Sequence, residues 1–218
     1  VNFDPADTAT GIPIESNVTL TFSEAIRNVD DTAITNSNVG DLITLEYAYD
    51  GIPIAFTATI DAAKKVITIN PNSDFISGEV VFVSIESVED NSGNAMSATS
   101  GTFSVTDVTP PVVAFSPANL ATNVSVDTDI YISFDEEIRL IDNSDINNIN
   151  VDNLITLKDT NSSGADISFD ASINADNKVI TIDLTNDLSS EQIVYVGIGS
   201  TVEDSYDNAI SNSFAIFT

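Results

Sequence analysis

The sequence repeats itself at a nearly constant spacing of 112 residues, and this duplication limits the possible folds more than any other feature. Two segments recur unchanged, residues 42–45 (LITL) at 154–157 and residues 66–69 (VITI) at 179–182, and residues 18–24 (VTLTFSE) recur with the same apolar pattern at 130–136 (IYISFDE). Each half is as long as a typical independently folding domain. The chain is therefore predicted to contain two copies of one domain.

A proline-containing segment, TDVTPPVV at residues 106–113, separates the two copies. Pro110 and Pro111 fix φ, remove two backbone donors and push the preceding residue towards an extended conformation. We therefore predict a first domain over residues 1–107 and a second over residues 108–218, with a short, stiff linker around residues 106–112. Because the chain opens at Val1 without a signal peptide, we expect it to be a fragment of a longer protein.

Within each copy, apolar residues alternate with polar ones, as on half-buried antiparallel strands. Val18, Leu20 and Phe22 share one face of such a strand, and residues 130–134 repeat the pattern. The strands are short, rich in Thr, Val and Ile, and separated by turn residues such as Asp50-Gly51. These features predict an all-β chain of two tandem immunoglobulin-like β-sandwich domains of about seven strands each. The polar segments at residues 28–40 and 140–152 have room for a single helical turn.

Six aromatic residues recur at matching positions in the two copies, and we predict that they belong to the cores: Phe22, Phe56, Phe82, Phe134, Phe169 and Tyr195.

The charge of the chain excludes several functions. There are 34 acidic residues against 6 basic ones, a net charge of −28, and both halves share the excess. Such a field repels nucleic acid and anionic membranes, and it suits a protein that stays soluble at high salt or gathers divalent cations.

Because Cys and His are both absent, there is no disulfide, histidine-based catalytic triad or Cys/His zinc site. No apolar stretch is long enough to insert into a membrane.

Several motifs resemble the bacterial Ig-like domains of the SbsA type. They are the DVTPPVV segment at residues 107–113, the Phe-(Ser/Asp)-Glu-x-Ile strand ends and the Val-Glu-Asp-x-x-x-Asn-Ala motif at residues 88–95 and 202–209. The second copy departs from the first at Asp207, which stands where the first copy has Gly93. The resemblance covers nearly the whole chain twice. It implies a secreted or cell-surface bacterial protein in which such modules form arrays, and it implies no activity.

Acidic residues are expected to meet at one end of the sandwiches, where loops of the second domain face the linker. Oxygen ligands of this kind suit Ca²⁺, so we predict an interdomain calcium site. Its candidate ligands are Asp107, Glu136, Asp204 and Asp207, with Glu24 and Asp90 as the first-copy counterparts. The alternative is a solvated acidic surface in which Asp90 and Asp204 accept hydrogen bonds from turn amides, and Glu24 and Glu136 pair with Arg27 and Arg139.

The sequence favours a structural or adhesive spacer, in a bacterial extracellular or cell-surface protein, whose partners are neighbouring Ig-like repeats. Neither copy contains residues that indicate an enzyme. A glycan- or protein-binding module is the first alternative, and its only candidate surface is Tyr47 with Tyr49, two residues apart on one strand face. An accessory domain of a secreted enzyme is the second.

Overall fold

The computed structural model describes all residues, 1–218, which form two compact units, Val1–Val108 and Thr109–Thr218. Strands make up nearly all of the regular structure in both units. The predicted all-β class is therefore confirmed, and each unit is an immunoglobulin-like sandwich.

The first domain contains eleven short strands and one 3₁₀ helix. The strands are β1 (Asn2–Asp4), β2 (Ala9–Ile12), β3 (Val18–Thr21), β4 (Ile26–Asn28), β5 (Ile43–Tyr47), β6 (Phe56–Ile60), β7 (Val66–Pro71), β8 (Val80–Ile85), β9 (Val88–Asp90), β10 (Ala95–Met96) and β11 (Thr99–Val105). One sheet has the order β1-β3-β7-β6, the facing sheet has the order β2-β11-β8-β5, and β10-β9-β4 form a small third sheet.

The second domain repeats this arrangement with nine strands. They are β12 (Val113–Ser116), β13 (Ile130–Phe134), β14 (Arg139–Leu140), β15 (Ile155–Asp159), β16 (Phe169–Ile173), β17 (Val179–Leu184), β18 (Val194–Ile198), β19 (Val202–Glu203) and β20 (Ser213–Phe217). Its sheets have the orders β12-β13-β17-β16, β15-β18-β20 and β14-β19.

The helical structure consists of two 3₁₀ turns, Val39–Leu42 and Val151–Leu154. They begin within or at the end of the polar segments where a single helical turn was predicted, and each buries its valine. Neither helix is long and apolar enough to cross a membrane.

Each domain has its own core, built from the inward-facing residues of its alternating strands. Val18 and Leu20 are fully buried in the first domain, as Ile130 and Ile132 are in the second. Alternation places every second side chain of a strand between the two sheets, where burial of apolar surface stabilises the fold.

The aromatic predictions are partly wrong. Phe22 and Phe134 are core residues, and Phe56 and Phe169 are half-buried against the cores. Phe82 and Tyr195, however, are half-buried on the outward face of β8 and β18, because each follows an inward-facing valine. Tyr195 stacks there on Phe214, with ring centroids 5.4 Å apart.

The last strand of each domain runs parallel to a segment near the start of the same domain. In the first domain β11 pairs with β2, with Phe103 opposite Ala9 and Val105 opposite Ile12. In the second domain the amide of Thr218 donates to the carbonyl of Ala121, 2.9 Å, and the amide of Val124 donates to the carbonyl of Thr218, 3.1 Å. Both sandwiches are closed by the same pairing.

Candidate functional site

The turn after β19 contains two of the predicted metal ligands. The side chain of Asp204 is fully buried. Its Oδ1 accepts hydrogen bonds from the amides of Tyr206 and Asn208, both 2.8 Å, and its Oδ2 accepts one from Asn208 Nδ2, 2.8 Å. An ionised carboxylate has about four lone-pair sites, so these three bonds leave room for one more interaction. Asp204 therefore holds the turn and can supply at most one bond to a cation.

The first domain has the same turn after β9. Asp90 accepts hydrogen bonds from the amides of Ser92, 2.7 Å, and Asn94, 2.8 Å, and from Asn94 Nδ2, 2.7 Å. The side-chain hydrogen bond from Asn94 is the main reason that the pKa of Asp90 lies below its ordinary value of 3.8. The sequence-based alternative, in which these two aspartates bind turn amides, agrees with this geometry.

The replacement of Gly93 by Asp207 leaves the turn unchanged. Gly93 has φ +83° and Asp207 has φ +68°, so both occupy the left-handed region that glycine adopts most easily. Aspartate is among the residues that tolerate this region best. Its side chain also forms an ion pair with Arg139, with Asp207 Oδ1 2.6 Å from Nη2.

Each domain contains one arginine that pairs with a buried glutamate on the neighbouring strand. Arg27 Nε lies 2.8 Å from Glu89 Oε1, and Arg139 Nε lies 3.2 Å from Glu203 Oε1. The glutamates are only 8% and 5% exposed. The predicted pairing of Arg27 with Glu24 is wrong, because Arg27 binds Glu89 and Asp31.

The predicted partner of Arg139 was Glu136, but the arginine binds Glu203 and Asp207. The cross-strand register explains both results, since Arg27 stands opposite Glu89 and Arg139 stands opposite Glu203. The sequence analysis missed these two glutamates as ion-pair partners. The recurrence of glutamate in the Val-Glu-Asp motif was the signal that could have identified them.

The remaining predicted ligands lie in different surroundings. In the second domain, Glu136 is half-buried, and one of its carboxylate oxygens lies within 4.8 Å of a carboxylate oxygen of Asp204. In the first domain, Glu24 is exposed, and Asp107 accepts a hydrogen bond from Ser77 Oγ, 2.7 Å. The structure thus brings Glu136 and Asp204 together within the second domain, whereas Asp207 forms an ion pair with Arg139.

The predicted tyrosine surface does not form. β5 ends at Tyr47, whose side chain is 8% exposed and whose hydroxyl accepts a hydrogen bond from the amide of Ile76, 2.9 Å. Tyr49 lies in the following turn and is 95% exposed. The two rings therefore do not share one strand face.

Two tandem sandwiches with matching turns and ion pairs define a protein made of repeated Ig-like modules. The bacterial Ig-like domain family matches residues 1–106 and again residues 107–218. The chain belongs to this family, as its motifs predicted.

Similar solved structures include a surface layer protein SbsC, domains 1–6, at 8% identity and a TM-score of 0.35, covering 97% of this chain and 25% of that one. The BSP domain of a biofilm associated protein is 12% identical with a TM-score of 0.28, covering 96% and 28%. CopC from Methylosinus trichosporium OB3b is 14% identical with a TM-score of 0.35, covering 49% and 91%. The chain thus spans about a quarter of the length of the first two. No curated protein matches the sequence.

The arginine–glutamate pairs lead to a first prediction. Replacing Arg139 with Met leaves Glu203 as a buried charge without its partner, which should cost the second domain about 2–4 kcal/mol of unfolding free energy. The double variant Arg139→Met/Glu203→Leu should recover most of this loss. Urea denaturation of the wild-type, single and double variants measures the coupling, and Arg27→Met is the matched change in the first domain. A double variant as unstable as Arg139→Met would contradict the assignment.

The turn aspartates lead to a prediction about pH. Because the pKa of Asp90 is lower in the folded than in the unfolded chain, its stabilising effect is present above about pH 3.8 and is lost as the pH falls through the folded-state pKa. Asp90→Asn should therefore be less stable than wild type at pH 7, and the difference should shrink below pH 3.8. Thermal melts in EDTA from pH 7 to pH 2.5 measure it, with Glu24→Gln as the exposed control. A difference that stays constant with pH would rule this out.

Proposed function

We propose that the chain is a spacer and adhesion module of a bacterial extracellular or cell-surface protein, and that its domains resist unfolding under tension. The observation that carries this proposal is the parallel pairing of the last strand of each domain with a segment near its start. A force applied to the two ends of such a domain loads the paired strands along their length, so several hydrogen bonds must break together. Membership of the bacterial Ig-like family and the tandem duplication support the same role.

The hydrogen bonds involved are defined in both domains. In the first, the amide of Thr8 donates to the carbonyl of Thr102, 2.6 Å, and the amide of Thr106 donates to the carbonyl of Ile12, 2.8 Å. In the second, the amide of Leu120 donates to the carbonyl of Ile216, 2.6 Å, in addition to the bonds of Thr218. No catalytic step is needed for this role, and we propose that the chain is not an enzyme.

Single-molecule force spectroscopy tests this proposal. Thr106→Pro removes the donor to Ile12, so the peak unfolding force of the first domain should fall clearly while that of the second domain stays unchanged. Arg27→Met is the control, because it destabilises the same domain outside the paired strands. It should lower the melting temperature of that domain clearly but its unfolding force only slightly. Equal loss of force in the two variants would count against the proposed role of the strand pairing.

We also propose that Ca²⁺ stabilises the second domain, with Glu136 and Asp204 among its ligands. The support is the proximity of their carboxylate oxygens, within 4.8 Å, and the net charge of −28, which attracts divalent cations. The sequence-based predictions that Asp107, Asp207, Glu24 and Asp90 also bind Ca²⁺, and that the ion stiffens the chain, stay predictions.

Thermal melts in EDTA, in millimolar Ca²⁺ and in millimolar Mg²⁺ test the calcium proposal. A cation present at about 100 times its Kd adds roughly 2.7 kcal/mol to the state that binds it, which corresponds to a rise of several degrees. The rise should be specific to Ca²⁺ and absent in Glu136→Gln. The matched first-domain variant Glu24→Gln should keep it. An unchanged melt, or an equal rise in Mg²⁺, would remove the proposal.

The alternative of a glycan- or protein-binding module loses its predicted tyrosine surface but gains a different one. Phe214 is 53% exposed and stacks on Tyr195, whereas the strand register places Ser100 at the position of Phe214 in the first domain. Binding by this pair is a new proposal, since the sequence analysis placed Tyr195 in the core. The role as an accessory domain of a secreted enzyme stays a prediction.

A further inference from the structure

The outward face of one sheet of the second domain contains a shallow pocket, which we call the β18 pocket. It has a volume of about 250 Å³ and lies where β18 and β20 run side by side. No lining residue carries a charge, although charged residues make up 18% of the chain. A ligand in the pocket therefore meets no ion-pair partner. The lining includes Thr156, Tyr195, Gly197, Gly199, Asn212 and Phe214.

Tyr195 and Phe214 provide the aromatic part of this lining. Their ring centroids are 5.4 Å apart and their planes are inclined by 22°, so the rings are stacked. Phe214 is 53% exposed, which leaves much of its ring accessible to a ligand. The face of an aromatic ring carries partial negative charge and attracts groups with partial positive charge, such as the C–H groups of a ligand.

Gly197 makes room for this stack. A Cβ on Gly197 would lie 3.0 Å from the hydroxyl oxygen of Tyr195 and 3.1 Å from its Cε1, which is too close unless the tyrosine moves. The register places Ser84 at this position in the first domain, since Ser84 stands opposite Ser100 as Gly197 stands opposite Phe214. The glycine thus lets the tyrosine ring lie close against the sheet.

The first domain differs from the second at the other positions that shape the pocket. Phe82, which has no hydroxyl, corresponds to Tyr195, and Ser100 corresponds to Phe214. The residue that follows β8 is the exposed Glu86, whereas a glycine follows β18. The first domain forms the same sandwich without the second ring, the hydroxyl or the glycines. Maintenance of the fold therefore does not require them.

Polar side chains of the lining offer hydrogen-bonding groups to a ligand. Asn212 Oδ1 accepts a hydrogen bond from the amide of Ser200, 2.8 Å, which fixes the orientation of the side-chain amide. Both N–H groups of Asn212 Nδ2 are thereby left for a ligand. The hydroxyls of Tyr195 and Thr156 can each donate one hydrogen bond and accept others. The pocket thus combines an accessible aromatic ring with neutral donors and acceptors.

We propose that the β18 pocket binds one neutral pyranose ring of a β-linked glycan with the gluco configuration. This proposal builds on the glycan-binding alternative above and does not require the spacer role. In such a sugar the ring hydroxyls are equatorial, so the axial C–H groups form an apolar face that can stack on Phe214. The hydroxyls at the edge of the sugar ring then bond to Asn212 and Tyr195.

The size and charge of the site restrict the ligand further. Pockets that enclose a drug-sized ligand have volumes of about 300–1,000 Å³, so a pocket of about 250 Å³ takes one sugar ring rather than a whole oligosaccharide. The net charge of −28 repels sugars that carry carboxylates, and the uncharged lining offers them no compensating cation. The site therefore selects neutral sugars.

An NMR titration with cellotetraose and with chitotetraose tests this proposal. Amide signals of residues 195–199 and 212–214 should shift with at least one of the two sugars, with a Kd of about 1 mM, since a single ring is bound. Signals of residues 82–86 and 98–100, the equivalent strands of the first domain, should not shift. Tetragalacturonate, which has the same length but carries carboxylates, should bind at least about tenfold more weakly.

Three variants locate the sugar. Phe214→Ser introduces the first-domain residue and should weaken binding about tenfold, because the stacking surface is lost. Asn212→Asp keeps the acceptor for the Ser200 amide but loses the Nδ2 donors, so it should also weaken binding. Tyr49→Ser removes a ring that is 95% exposed elsewhere and should leave the Kd unchanged. Unchanged melting temperatures show that each variant is folded.

Three results would overturn the proposal. The first is the absence of shifts with both neutral tetrasaccharides at about ten times the expected Kd. The second is an equal Kd for wild type and Phe214→Ser, which would place the sugar elsewhere. The third is a set of shifts at the same residues that grows with protein concentration without sugar, which would make a second copy of the chain the occupant. The spacer role is tested separately, by the unfolding force of Thr106→Pro.

Discussion

The pairing of each last strand with a segment near the start of its domain is the interaction on which the rest of the structure depends. It adds the early segment to the sheet that contains β8 or β18, and thereby covers one edge of that sheet. In the first domain it also brings Val105 into the core, where the residue is 3% exposed. One set of backbone hydrogen bonds therefore determines how each sandwich is closed.

The ion pairs of Arg27 and Arg139 depend on a second pairing, between short strands at one end of each sandwich. A glutamate that is 5–8% exposed has lost most of its hydration, which is tolerable only beside a well-placed cation. The chain has only six basic residues, and two of them are used in this way. In so acidic a protein these two arginines contribute strongly to stability, because few other cations offset the repulsion between the carboxylates.

Sequence reasoning succeeded where local periodicity decides the structure, and it failed where distant residues meet. Alternation identified the inward faces of β3 and β13, and the same rule would have placed Phe82 outward, since Val81 and Val83 are the buried neighbours. The error was to treat recurrence in both copies as a sign of burial. The glutamate partners of Arg27 and Arg139 lie 62 and 64 residues away along the chain, so local spacing does not pair them and the strand register does. Tyr47 and Tyr49 were separated by the end of a strand, which two-residue spacing alone does not show.

The duplication also separates what maintains the fold from what can differ in function. Features present in both copies, such as the Asp90 and Asp204 turns, provide acceptors for the amides of the turn, so their carboxylates are largely occupied by the protein itself. A role that belongs to one domain must instead come from positions where the copies diverge. The stacked Tyr195–Phe214 pair is such a position, and it lies on the sheet that contains the last strand. Change is tolerated there because the opposite sheet and the inward faces of the strands carry most of each core.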